Sequence, residues 1–321
     1  CIGAIVEYFS GTVSGKRVLP LDRTMPAGRA VLCDVGRVSG GPDKSVSADD
    51  DAVGVLQSCE RKGIEMKAVI LAGGLGTRLS EETALKPKPM VEVGDYPILW
   101  HIMKFYSTFG INEFVIALGY KGEVIKDFFV NYLHRVQNLS IRLRDGQIDV
   151  HGAAAEDWTV HLLDTGEQTQ TGGRLRRAAE FIGREPFLAT YGDGLASVDI
   201  NALLSFHRKE KRIATVTAVR PPARFGGLDI AGNRVVQFVE KPQTGEGWIN
   251  GGFFVLEPEI VEYIVDDDTV FEKEPLEILA QKGQLNAYCH EGFWQCMDTL
   301  RDRRQLEALW QTGKAPWKLW K

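Results

Sequence analysis

MKAVILAGGLGTRLSEETALKPKPM, residues 66–90, decides how the chain is read. Its apolar run Ala68-Val69-Ile70-Leu71-Ala72 has the length and β-branched content of a strand buried on both faces. Gly73, Gly74 and Gly76 follow at once. Without a Cβ at these positions the backbone can bend sharply and turn several N–H groups toward phosphate oxygens. Arg78, Lys86 and Lys88 place fixed positive charge just beyond the loop. The chain as a whole carries a net charge of -5 and has little general attraction for polyanions. A cationic cluster beside a glycine turn therefore points to one specific phosphate site.

Two familiar glycine motifs are excluded. A dinucleotide fingerprint needs a third glycine or alanine where Leu79 stands, and a Walker loop needs Gly-Lys-Ser/Thr at its end. The glycines alone read as a tight turn; the strand before them and the cations after them favour phosphate.

Composition bounds the class. At 321 residues, 44% hydrophobic and 25% charged, the chain can bury a substantial core. No apolar run approaches the ~18 residues that cross a bilayer, and no secretory signal is expected at the N-terminus. Cys1, Cys33, Cys59, Cys289 and Cys296 are odd in number and scattered, which suits reduced thiols and a cytoplasmic setting. The histidines, His101, His134, His151, His161, His207 and His290, show no metal-ligand spacing. Nothing suggests a nucleic-acid surface.

Working outward, residues 1–65 are punctuated by Gly, Ser, Pro and Asp, as in SGGPDKSVSADDD, and lack a sustained period. They read as an appended segment or as translation begun upstream of the true start. The second is favoured, because ERKGIE at 60–65 can be encoded by an almost wholly purine stretch like a ribosome-binding sequence. They are expected to be poorly ordered and outside the chemistry. On the other side, Pro97 to Gly110 predicts an amphipathic helix with Ile98, Ile102, Tyr106 and Phe109 on one face. Glu113 to Gly119 predicts a second buried strand and Tyr120 to Leu133 a second helix. Strand, helix, strand, helix is the pattern of an α/β protein, a parallel sheet with helices on both faces.

Further on, residues 139–143 and 147–150 flank Asp145-Gly146, a hairpin signal. A strand is predicted over 158–163 and a helix over 174–181, whose N–H groups could receive an anion or a base edge. Thr171-Gly172-Gly173-Arg174 reads equally as an ordinary loop and helix cap. A strand over 186–191 ends in Gly192-Asp193-Gly194, an acid at the edge where open α/β sheets bind ligands, although an Asp-Gly turn explains the same residues. Strands are also predicted over 212–219, 235–239 and 249–255, and Trp294 to Thr299 presents a second isolated acid, Asp298.

GGLGTRL followed by KPKPM resembles the signature of the sugar-1-phosphate nucleotidylyltransferases, which join a nucleoside triphosphate to a sugar phosphate and release pyrophosphate. From Met66 onward the resemblance is strongest to the members that use CTP and glucose 1-phosphate. It is carried by LGYKGEVIKDFF, LLDTGEQTQTGGRLRR, TYGDG, PPARFGGLDI, WINGGFFVLEP, GFWQCMDTLRD and GKAPWK. It implies a nucleotidylyltransferase domain over 66–321 with a Rossmann-like mixed, mostly parallel sheet, helices on both faces and a small β insertion. It further implies CDP-glucose as product, feeding dideoxysugar and O-antigen lipopolysaccharide synthesis in a cytoplasmic homo-oligomer. A UTP- or dTTP-using relative and a non-catalytic nucleotide-binding protein are the alternatives. Tyr96 and Cys296 stand where relatives more often have Lys and Pro, and neither position bears a proposed phosphate or metal group.

The resemblance also distributes roles. Leu71, Ala72, Gly73, Gly74, Leu75, Gly76, Thr77 and Arg78 are expected to hold the nucleotide, joined by Thr171, Gly172, Gly173 and Arg174. Arg78 and Lys88 are the expected catalytic cations. Lys88, Glu240, Lys241 and Asn250 are expected on the sugar phosphate, although a strand-end salt bridge and a strand cap would explain Glu240, Lys241 and Asn250 as well. Asp193 and Asp298 are expected to share one Mg²⁺, which prefers oxygen ligands. A phosphate monoester oxygen is already anionic near neutral pH, its second pKa being about 6. No general base is then needed, and none is evident.

Overall fold

The strand β1 spans Lys67–Leu71, where KAVIL alternates its side chains between two buried faces. Ala68 and Ile70 join one apolar cluster and Val69 the other, the period of two expected of a strand covered on both sides. The computed structural model describes residues 66–76, 79–83, 85–152, 156–221, 227–231, 234–239 and 247–320. The expectations for residues 1–65, Thr77, Arg78, Glu240 and Lys241 lie outside the described residues.

Around β1 the chain adds β2 (Glu92–Val93) and β3 (Tyr96–Pro97), a small antiparallel pair, and then β4 (Glu113–Leu118). β4 lies parallel to β1 with Val69 opposite Val115. A separate hairpin of β5 (Asn138–Arg142) and β6 (Gln147–His151) turns through Gly146 at φ 74. This is the predicted β insertion. β7 (Thr159–Asp164) lies parallel to β4, and β8 (Phe187–Tyr191) parallel to β1 on its other side. β9 (Gly194–Ala196) leaves the sheet, while β10 (Ala214–Val219) returns to it. β11 (Gly227–Ala231) and β12 (Arg234–Val239) pair with each other. β13 (Ile249–Asn250) and β14 (Phe254–Leu256) pair antiparallel with opposite ends of β10, and β14 also pairs antiparallel with β8. β15 (Leu285–His290) runs parallel to β10, and β16 (Trp294–Cys296) pairs with β9. The central sheet is thus mixed and mostly parallel, as expected. Among the described residues no helix is long and apolar enough to cross a membrane.

Four differences from the sequence reading have physical causes. The helix expected over 97–110 is Ile98–Ser107; Leu99, Trp100, His101, Met103 and Phe105 are buried along with Ile98, Ile102 and Tyr106 of the predicted stripe, while Phe109 lies past its end and is half-buried. Trp310, Trp317 and Trp320 cover its far side. The expected helix 120–133 is two, Gly122–Val130 and Tyr132–Val136, divided at Asn131, whose Nδ2 donates to the Asp127 carbonyl. The helix expected from 174 begins at Thr171. The strand expected over 249–255 is broken, because Gly252 at φ 74 and Phe253 at φ 50 are left-handed between β13 and β14. Asn250 Oδ1 accepts the Gly252 N–H at 2.8 Å and steadies that bend.

His101 is fully buried in this packing. Its Nε2 lies 2.8 Å from the Val93 carbonyl, and Trp317 Nε1 donates to its Nδ1 at 3.4 Å, so the neutral ring carries its proton on Nε2. Burial pushes its pKa from 6.5 down to about 4, against smaller opposing effects of the Val93 carbonyl and Glu307. The unfolded chain then binds a proton that the folded chain refuses, so this stability is complete above pH 6.5 and falls away between there and about pH 4. The loss at the low end is expected to reach about 3 kcal/mol. Denaturant titrations of wild type and His101→Gln across that window check it, since the variant's curve should fall less steeply.

Candidate active site

A cleft of about 440 Å³ opens at the C-terminal ends of β1 and β8. Leu71, Ala72, Gly73, Gly74, Leu75 and Gly76 form one wall, with Lys88, Thr171, Arg174, Tyr191 and Asp193 around the rest. This is the edge at which open α/β sheets receive ligands. Gly76 takes φ 64, a conformation that favours glycine.

Arg174 lies behind the glycine loop, 4% exposed. Its guanidinium donates to the carbonyls of Gly73, Leu118 and Glu167 and to the Thr165 hydroxyl. It thereby ties together the segments that follow β1, β4 and β7. A Cβ on Gly73 would stand 2.2 Å from this guanidinium, so the first loop glycine is required by close approach. Gly172 and Gly173 do not line the cleft. They let the Thr171–Ile182 helix press against the backbone of Asp267 and Thr269, where added Cβ atoms would fall 2.6 Å from Asp267 Cα and 2.5 Å from the Thr269 carbonyl oxygen. Thr171, the first residue of that helix, donates its hydroxyl to Glu272 at 2.6 Å.

Lys88 opens a short 3-10 turn, Lys88–Met90, between Pro87 and Pro89. Its Nζ donates to Asp193 Oδ2 at 2.5 Å and to Asp298 Oδ1 at 2.6 Å. Burial alone would lower the lysine pKa, but the two carboxylates outweigh it and hold the pKa above its usual value, so the side chain is an ammonium at any neutral pH. The two acids meet through the pairing of β9 with β16. Cys296 lies opposite Gly194, and the Met297 N–H reaches the Asp193 carbonyl at 2.9 Å, which sets Asp298 beside Asp193. Asp302 Oδ2 then accepts the N–H groups of Asp298 and Thr299 at 3.2 and 2.9 Å and closes a capping box on the Leu300–Gln311 helix.

Cys296, next to these acids, has its thiol pKa pushed up to about 12, first by burial and then by Asp298 and Asp193. It stays a protonated thiol that donates to Asp298 Oδ2 at 3.5 Å, and supplies no thiolate nucleophile. Asn250 stands outside the cleft lining and hydrogen-bonds Tyr191, which does line it. Sequence reasoning missed Tyr191, Glu272 and Asp302. Only Asp302 carried a local signal, Thr299-x-x-Asp302 ahead of a helix.

The carboxylates fit a Mg²⁺ ion as a donor set. Two oxygens converge on a point already held by a cation, and among the described residues no cluster of three or more His, Cys, Asp or Glu side chains is arranged to enclose a metal. An ion bound here would draw its remaining ligands from water and phosphate, as Mg²⁺ does.

Comparison with known proteins gives the family. The family model described as nucleotidyl transferase matches residues 67–308. The glucose-1-phosphate cytidylyltransferase of Salmonella typhimurium is 56% identical over 256 residues, covering 79% of this chain and 100% of that protein. The mannose-1-phosphate guanylyltransferase catalytic subunit beta of Danio rerio is 30% identical over 244 residues, covering 74% of this chain and 62% of that one. Among solved structures, an apo UDP-glucose pyrophosphorylase superposes with a TM-score of 0.58 at 17% identity, covering 78% of this chain and 100% of that chain. At that identity the likeness is one of fold.

Proposed function

The chain belongs to the nucleotidyl transferase family, and on that premise we propose that it transfers a cytidylyl group from CTP to α-D-glucose 1-phosphate, giving CDP-glucose and pyrophosphate. The observation that carries the reaction type is the Lys88 ammonium, held between Asp193 and Asp298 in the cleft that the glycine loop lines. The choice of CTP and glucose rests on the 56% identity to the Salmonella typhimurium enzyme.

Transfer of this kind asks the protein for positioning and charge neutralisation. The backbone of 71–76 lines the wall on which the triphosphate would lie, and Arg174 keeps that wall in shape. Lys88, between this wall and the acids, is placed to counter the repulsion between the α-phosphate and the incoming sugar phosphate, both anionic. Asp193 and Asp298 would hold Mg²⁺, which when bound supplies Lewis-acid neutralisation of phosphate oxygens. Arg78, on the residues next to the loop, is assigned to the departing pyrophosphate, and Glu240, Lys241 and Asn250 to the sugar. These assignments rest on the family resemblance.

The test is pyrophosphate release with glucose 1-phosphate and each of the four ribonucleoside triphosphates in turn, with dTTP as a fifth. CTP is expected to be preferred by at least about tenfold in kcat/KM, since recognising one exocyclic amine is worth over 1 kcal/mol. Preference for UTP or dTTP would move the chain to another branch of the same family, and no release with any of them would favour a nucleotide-binding protein without turnover.

A further inference from the structure

Beside the cleft runs a chain of hydrogen bonds in which two members, Tyr191 and Glu272, have no part in the reaction above. Tyr191, at the end of β8, donates its hydroxyl to Glu272 Oε1 at 2.7 Å, and Asn250 Nδ2 donates to that hydroxyl oxygen at 3.1 Å. The other oxygen of Glu272 takes the Thr171 hydroxyl proton at 2.6 Å, so the carboxylate accepts from the hydroxyls of two residues that line the cleft. A phenol has one proton. With it committed to Glu272, Tyr191 can meet Asn250 only as an acceptor. At the other side of the amide, Asn250 Oδ1 accepts the Gly252 N–H at 2.8 Å.

The amide is therefore fixed in one orientation. Turning it over would set Nδ2 against the Gly252 N–H and Oδ1 against a hydroxyl whose proton points elsewhere. Asn250 keeps one N–H and one carbonyl lone pair uncommitted within this network, on an exposed side chain one residue past Tyr191 in the relay. A donor and an acceptor held side by side match two adjacent hydroxyls of a hexose, each of which can both give and accept. We infer that Glu272 and Tyr191 are positioning residues, which lock the Asn250 amide so that it reads a vicinal diol of the sugar substrate. This rests on the sugar-phosphate reading above and adds to it the residues that set sugar specificity. The bend at Gly252 belongs to the device, because a Cβ there would stand 3.0 Å from the Tyr191 ring, so only a glycine lets the bend lie this close to it.

Steady-state kinetics on the full chain test the inference with Tyr191→Phe, Asn250→Ala and the double variant. Tyr191→Phe is expected to raise KM for glucose 1-phosphate about three- to tenfold, the worth of one neutral hydrogen bond, and to leave KM for CTP and Tm close to wild type. The double variant should be no worse than Asn250→Ala alone, because both changes break the same contact. Glu272→Gln, whose amide can accept from only one of the two hydroxyls that Glu272 now holds, should narrow the preference for glucose 1-phosphate over galactose 1-phosphate. Equal rises in both KM values, an unchanged sugar KM, or effects that multiply in the double variant would each overturn the inference while leaving the transferase reading standing. Wild type that releases pyrophosphate with no sugar phosphate at all would overturn both.

Discussion

Lys88→Met is expected to lower kcat by about 10²–10³-fold, the usual cost of removing one preorganised charge from a transfer between anions. Its Nζ is the cationic atom found between Asp193 and Asp298, and methionine keeps much of the stem's bulk while deleting that charge. Stability should fall too. With the ammonium gone, two carboxylates face each other in a partly closed site, their side chains 27% and 13% exposed. Discounting for the water that reaches them, the loss is expected to be about 1–3 kcal/mol. The two effects separate experimentally. Adding Mg²⁺ or Mn²⁺ without nucleotide should raise the variant's Tm by more than it raises that of wild type, because the acids no longer have an internal counter-charge, while kcat stays low. Lys88→Met with wild-type turnover would remove this lysine from the reaction.

Asp298→Asn is expected to cost a similar factor, about 10²–10³-fold in kcat, if this carboxylate and Asp193 together hold the divalent ion. The substitution preserves shape, and Asp302 still accepts the backbone N–H groups of residues 298 and 299, so Tm should change little. Titrating Mg²⁺ against the initial rate gives the sharper reading. Half-saturation should move to higher metal concentration in Asp193→Asn and Asp298→Asn alike, and the double variant should be scarcely slower than either single one, as groups acting as a unit behave. Undiminished rates in either single variant would show that the wrong acid has been assigned.

The sheet was legible because β1, β4 and β8 are short apolar runs of residues that favour strands, and glycines mark where β1 ends. The hairpin was legible from Asp145-Gly146. The break between β13 and β14 was not, since a left-handed Phe253 has no local signature and follows from tertiary contacts such as the Thr217 hydroxyl on the Phe253 carbonyl. The convergence of Lys88, Asp193 and Asp298 was expected from family resemblance alone. Its physical cause is a pairing of two three-residue strands far apart in sequence, too short for any periodicity to announce. Glu272 was invisible for a like reason, because nothing in its own neighbourhood says that Thr171 and Tyr191 will reach it. The helices Ile200–Glu210 and Leu300–Gln311 went unread, although the second opens with a capping signal.

The β9–β16 pairing also orders events on the ribosome. Lys88 and Asp193 are synthesised long before residues 294–298, so for much of synthesis the ammonium has one of its two acids. A nascent chain can assemble the glycine wall and the parallel strands first, and gains its reactive geometry only when this late segment zips onto β9. Chains abandoned before that point would lack Asp298, one of the two acids that hold the Lys88 ammonium.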